Sequence, residues 1–128
     1  MPKVALLVDD EQLVRDYVST VLRQEGFKVL EAADGTDALS IVQGMRGTVD
    51  VLVTDVRMPR MTGIELVRSV KIDFPALPVI YISAEAFCDG LHDPCGHVLF
   101  LQKPFGPQAI RDAVRTVMIP EDTGTHRC

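Results

Sequence analysis

The sequence predicts an α/β fold, a doubly wound five-stranded parallel sheet, and three observations predict it. Short, nearly continuous apolar runs of strand length alternate with longer segments of helical periodicity along the chain. The runs carry their polar residues at the C-terminal ends rather than throughout, as strands buried on both faces do. With 128 residues, 47% of them hydrophobic and only eight prolines, the chain is the size of one domain with enough apolar material for a core. We expect that domain over residues 1–119, with a polar, loose tail over 120–128.

Residues 3–8 form the first apolar run, which ends abruptly in Asp9-Asp10-Glu11. Over residues 11–25 the apolar Val14, Val18, Val21 and Leu22 recur at helical spacing, and Gly26 stands where a left-handed C-terminal cap is wanted. Residues 27–31 read as a second strand. Asp34-Gly35 is a turn signal, after which Ala38, Leu39, Ile41, Val42 and Met45 make the inward stripe of a helix that runs out between Gly44 and Gly47. Residues 50–54 are the third strand, leading into Asp55. Past the Met58-Pro59 turn, Thr62-Gly63-Ile64-Glu65 has the capping-box pattern, with Ile64, Leu66, Val67 and Val70 available for packing before Pro75 and Pro78 end the helix. Residues 79–82 and 97–101 are the last two strands, and 107–118 the final helix, with Pro107 tolerated in its first turn.

Parallel neighbours require right-handed crossovers, and the alternation predicts a flavodoxin-like order, 2-1-3-4-5. Between Ser83 and His97 the alternation weakens. Gly90, Asp93-Pro94 and Gly96 leave room for about two helical turns, so the fourth helix is expected to be short, irregular or missing.

Composition narrows the function. A formal net charge of -5 offers nucleic acid no basic surface, so protein partners are expected instead of direct nucleic acid binding. The apolar runs are far shorter than the ~20 residues that cross a bilayer, and Met1-Pro2-Lys3 leads straight into a strand without a signal peptide, which predicts a cytoplasmic protein without membrane insertion. Three cysteines, Cys88, Cys95 and Cys128, do not make a disulfide framework.

In an open parallel sheet, ligands bind beyond the carboxyl ends of the strands where the strand order reverses. The notable polar residues fall there: Asp9 and Asp10 after the first strand, Asp55 after the third, Ser83 after the fourth and Lys103 after the fifth. Carboxylates gathered so closely repel one another unless a cation sits among them. Mg²⁺ (or Mn²⁺) suits an all-oxygen site of one or two carboxylates plus water and phosphate oxygens. We expect Asp10 and Asp55 as direct ligands, Asp9 direct or through water, and the backbone carbonyl of Arg57 as the remaining protein donor. A carboxylate in such a site can attack phosphorus and form an acyl phosphate. Lys103 supplies a positive charge opposite the metal, and Ser83 a hydroxyl for a phosphoryl oxygen.

Val8-Asp9-Asp10-Glu11, Thr54-Asp55-Val56-Arg57-Met58-Pro59, Ser83-Ala84 and Lys103-Pro104-Phe105 resemble, in order and across nearly the whole chain, the four signatures of the CheY-like response-regulator receiver domains of two-component signalling. The resemblance implies a non-enzymatic switch in a phosphorelay, phosphorylated on Asp55 by a sensor histidine kinase or histidine phosphotransfer protein and signalling to a downstream protein. It implies Asp9 and Asp10 as metal carboxylates, Lys103 as the phosphate-contacting lysine, Ser83 as the switch hydroxyl and a cis Lys103-Pro104 bond. Phe100 stands where many receivers carry a switch tyrosine, so an aromatic swing there works by packing alone. Arg57 occupies a position that in the family influences the lifetime of the phosphoryl group. The thin fourth helix, with Leu99 to Phe105, is closest in style to receivers of hybrid sensor histidine kinases, which makes a module excised from such a kinase the alternative.

Bland readings exist for each residue. Asp10 alone is a helix N-cap, Asp55 alone a structural strand end, Lys103-Pro104 alone a turn; the joint spacing favours the site. Cys88, His92, Cys95 and His97 lack the spacing of zinc ligand pairs. Leu13 and Tyr17 lie off the buried stripe of the first helix, at its edge or as an apolar docking patch beside the acidic crevice. Arg57 and Glu85, each two residues past a site residue, are expected to flank the mouth and tune hydrolysis. From other classes, a haloacid-dehalogenase-type phosphatase wants Asp-x-Asp where this chain has adjacent aspartates, and an FMN site wants amides and hydroxyls where Asp9-Asp10-Glu11 would repel phosphate.

Overall fold

Successive side chains of a strand point to opposite faces of the sheet, so a strand apolar at every position can feed two cores at once. The central strands do this. In the computed structural model, which describes residues 2–84 and 98–118, the order of elements is β1 (Val4–Val8), α1 (Gln12–Gln24), β2 (Lys28–Ala32), α2 (Gly35–Met45), β3 (Val51–Asp55), α3 (Gly63–Asp73), β4 (Val79–Ser83), β5 (Val98–Gln102) and α4 (Pro107–Val117). Ala5 and Leu7 of β1, Val51 and Val53 of β3, and Ile80 and Ile82 of β4 pack against Val18, Val21 and Leu22 of α1 and Ile110, Val114 and Val117 of α4. The intervening Leu6, Val8, Leu52, Val79 and Tyr81 face Ala38 and Val42 of α2 and Leu66, Val67 and Val70 of α3. Complete burial of each such aliphatic side chain contributes roughly 1.5–3 kcal/mol, so both layers are strongly held.

The sheet is parallel throughout, in the order β2-β1-β3-β4-β5. That is the doubly wound, flavodoxin-like order expected, and it leaves the C-terminal ends of β1, β3, β4 and β5 on one rim. Local signals act as the sequence predicts at several element ends. Gly26 has φ +93°, Thr62 and Glu65 make a reciprocal capping box, and Pro107 opens α4. Asp34-Gly35 works differently from the expected turn: Asp34 is the N-cap of α2, its side chain accepting from the Asp37 amide, and Gly35 is already helical. Strand and helix ends otherwise differ from expectation by about a residue, the usual slack of frayed ends; the shift makes Asp55 the last residue of β3. No helix among the described residues is long and apolar enough to cross a membrane. The stretch between β4 and β5, where the fourth helix is expected to be short, irregular or missing, lies outside the described residues, and so do Glu85, Cys88, His92, Cys95, His97 and the tail with Cys128.

Candidate functional site

The strand order reverses between β1 and β3, and the side chains singled out above meet on that rim. β1 delivers Asp9, whose amide donates to the Ala32 carbonyl (3.2 Å) and which is completely buried. β3 ends on Asp55, 5% exposed, and β4 ends on Ser83, 3% exposed. Lys103 follows β5, its amide bonded to the Ser83 carbonyl (2.6 Å) and its peptide bond to Pro104 cis. Asp10, Glu11, Asp55, Arg57, Ser83, Ala84 and Lys103 line a cleft of ≈ 250 Å³.

Lys103 organises the charges. Its ammonium donates to Asp55 Oδ2 (3.0 Å) and Asp9 Oδ2 (3.1 Å) and lies 3.4 Å from Glu11 Oε1. The other oxygens are held from the backbone: Asp9 Oδ1 accepts from the Glu11 amide (2.9 Å) and Asp55 Oδ1 from the Arg57 amide (3.1 Å). Arg15 reaches the Asp9 carbonyl at 2.6 Å. Burial pushes the Asp9 carboxyl up to about 6; the Glu11 amide opposes this, Asp55 adds to it, and Lys103 opposes it. For Lys103, burial works against the charge, yet the hydrogen bond to Asp55 and the fields of Asp9 and Asp55 outweigh it and hold the ammonium above its ordinary range. At Asp9 the cost of burying the charge is thus only partly offset by the neighbouring ammonium.

One oxygen from each of Asp9, Glu11 and Asp55 lies within 4.8 Å of the others. Three hard oxygen donors at that separation fit a small divalent cation and suit neither a thiolate nor an imidazole metal. The structure therefore brings together Asp9, Asp55, Ser83 and Lys103 as the sequence predicts. Asp10 and Glu11 line the same cleft and are both exposed, and it is Glu11 that contributes the third carboxylate of the group. Glu11 carries no role legible in sequence beyond its position as an acid next to the pair, two residues beyond Asp9. Arg57 is exposed at the mouth. Phe100 sits opposite Tyr81 in the β4–β5 register and packs, half-buried, on the α2–α3 side of the sheet. Leu13 is 82% and Tyr17 41% exposed, so the helix-edge reading does not hold for Leu13. Tyr17 donates to the Phe105 carbonyl (3.2 Å), and its ring lies 6.4 Å from that of Phe105.

A family model described as the response regulator receiver domain matches residues 5–115. Chemotaxis protein CheY of Pseudomonas aeruginosa is 38% identical over 117 residues, covering 88% of this chain and 93% of that protein. Sensor kinase CckA of Brucella abortus is 35% identical over 120 residues, which are 91% of this chain and 13% of the kinase. Among solved structures, the receiver domain from the hybrid histidine kinase CckA superposes with a TM-score of 0.78 at 34% identity, covering 91% of this chain and 99% of that one.

Proposed function

The chain belongs to the response regulator receiver domain family, and we propose that Asp55 is the residue on which it carries its phosphoryl group. It is a phosphoacceptor module of two-component signalling, from a family that uses Mg²⁺ at an acidic site. The observation that carries the assignment is the convergence of Asp9, Glu11 and Asp55 around the Lys103 ammonium, with Asp55 the carboxylate lying at a strand end inside the cleft.

In this reading a carboxylate oxygen of Asp55 forms the new P–O bond as the P–N bond of a donor phosphohistidine breaks, and the imidazole leaves with the electron pair. Asp9, Asp10, Asp55 and the Arg57 carbonyl would hold the divalent cation, with Glu11 joining them. When bound, the cation offsets the negative charge that the phosphoryl group brings in. Lys103, already within hydrogen-bond reach of Asp55, exchanges that contact for a phosphoryl oxygen, and Ser83 gives its hydroxyl to another. Phe100 is the switch aromatic, working through packing. Leu13 and Tyr17 form the apolar surface on which the donor's histidine-bearing helix docks, and Arg57 with Glu85 tunes how long the acyl phosphate survives. The donor is a sensor histidine kinase or a phosphotransfer protein, met in the cytoplasm. A receiver excised from a hybrid kinase is the second reading, favoured by the likeness to the CckA receiver.

The test is incubation with acetyl phosphate and Mg²⁺ followed by intact-mass measurement. The wild type should gain one phosphoryl increment and Asp55→Asn none. An equal gain in both proteins removes Asp55 as the acceptor, and steady turnover of a phosphomonoester would move the chain to the phosphatase class.

A further inference from the structure

The loop between β3 and α3 carries Arg57, so whatever fixes that loop fixes the site's backbone donor. Its inner end is locked to the sheet. The Val56 amide donates to the Ile82 carbonyl (3.1 Å), the Gly63 amide to the Val56 carbonyl (2.8 Å), and a Cβ at Gly63 would collide with the Asp55 carbonyl oxygen. The outer part of the loop is held by α2. Arg60 adopts φ +70°, a left-handed conformation costly for a side-chain-bearing residue, and its guanidinium donates to Asp34 Oδ2 at 2.7 Å. Beside this pair the Met61 side chain closes on Gly35, where a Cβ would come within 2.8 Å of Met61 Cγ. Asp34 serves two elements at once, because its other oxygen, Oδ1, caps α2 by accepting from the Asp37 amide at 2.9 Å.

We propose that Asp34 and Arg60 form a latch in which Arg60 ties the β3–α3 loop to the capped end of α2, making both positioning residues for cation binding at the acidic cleft. Neither reaches the cation. The latch restricts where the Arg57 carbonyl travels, three residues upstream of Arg60, and so lowers the ordering cost of recruiting it. This inference rests on the reading of the cleft as the cation site.

The experiment is calorimetric titration of Mg²⁺ alone into the wild type, Asp34→Asn, Arg60→Gln and the double variant, with far-UV circular dichroism confirming that each is folded. Asparagine keeps an oxygen for the Asp37 amide, so the cap survives while the ion pair goes. For an exposed pair, each single substitution should weaken Mg²⁺ binding by about two- to fivefold, and the double variant should be no weaker than either single one. Arg60→Lys should recover part of the loss. Phosphorylation by acetyl phosphate should need more Mg²⁺ in the variants yet reach the wild-type rate when Mg²⁺ saturates, a split that general destabilisation would not produce. Equal Mg²⁺ affinity in all proteins, or strictly additive losses, overturns the latch; a wild type that binds no Mg²⁺ overturns the cleft reading instead.

Discussion

Lys103 brings one positive charge to three carboxylates, and this makes it both a stand-in for a cation and a competitor of one. Replacing it with methionine should tighten Mg²⁺ binding, since the carboxylates lose their internal counter-charge. The same change should slow phosphoryl uptake by roughly ten- to a hundredfold, the worth of one charge-assisted hydrogen bond. Calorimetry beside a phosphorylation time course checks both, and weaker Mg²⁺ binding in Lys103→Met would contradict the competition. Asp34 supplies a pH signature away from the cleft. The Asp37 amide, with help from Arg60, holds its carboxyl below the usual carboxylate range. A folded pKa below the unfolded one means that ionised Asp34 stabilises the fold above the ordinary carboxylate range, and that this contribution drains away as pH falls through the folded pKa. The gap in urea midpoint between wild type and Asp34→Ala should therefore be widest near neutrality and narrow towards pH 3; a gap independent of pH would show that ionisation is irrelevant there.

Between elements, the closest constraint is the seat of α3 against the end of β3. Gly63→Ala drives a methyl group into the Asp55 carbonyl oxygen, a backbone atom that cannot rotate away. The expected cost is roughly 1–3 kcal/mol, seen in urea unfolding, together with slower phosphorylation because Asp55 itself is pushed. Unchanged stability in that variant would mean that α3 sits elsewhere. By contrast, the clamp of Arg111 and Arg115 on Glu25, which ties α4 to the end of α1, lies at the surface, with Arg115 exposed and Arg111 half-buried, and Glu25→Ala should cost about 1 kcal/mol or less. The elements themselves were legible because the chain punctuates them: continuous apolar runs for strands fed from both faces, a capping box at Thr62, a left-handed glycine at position 26. Asp34-Gly35 reads as a turn in sequence because an aspartate before a glycine serves a turn and a helix cap equally well, and only the downstream Asp37 amide decides between them.

Across the whole molecule, the sheet order converts strand ends distant in sequence into one acidic cleft, which is why Asp9, Asp55, Ser83 and Lys103 could be placed together from sequence. Which neighbour of Asp9 brings its carboxylate close to Asp55 could not. The Asp9 side chain accepts from the Glu11 amide, and that local turn leaves Asp10 outside the close group of carboxylates. The Arg60–Asp34 pair was equally hidden, since 26 residues separate partners that no periodicity links. Leu13 and Tyr17 are exposed on α1, and the docking role proposed for them makes a prediction of its own. Alanine at both should slow transfer from a phosphorylated histidine phosphotransfer domain while leaving uptake from acetyl phosphate intact, and equal loss in both assays would reject the docking role. The most direct measurement is chemical: phosphorylate the protein with acetyl phosphate and Mg²⁺, reduce it with sodium borohydride, which converts an aspartyl phosphate to homoserine, and sequence the peptides by mass spectrometry. Homoserine should appear at position 55 and only after phosphorylation; homoserine at another aspartate, or a stable phosphate on Ser83, would contradict the account.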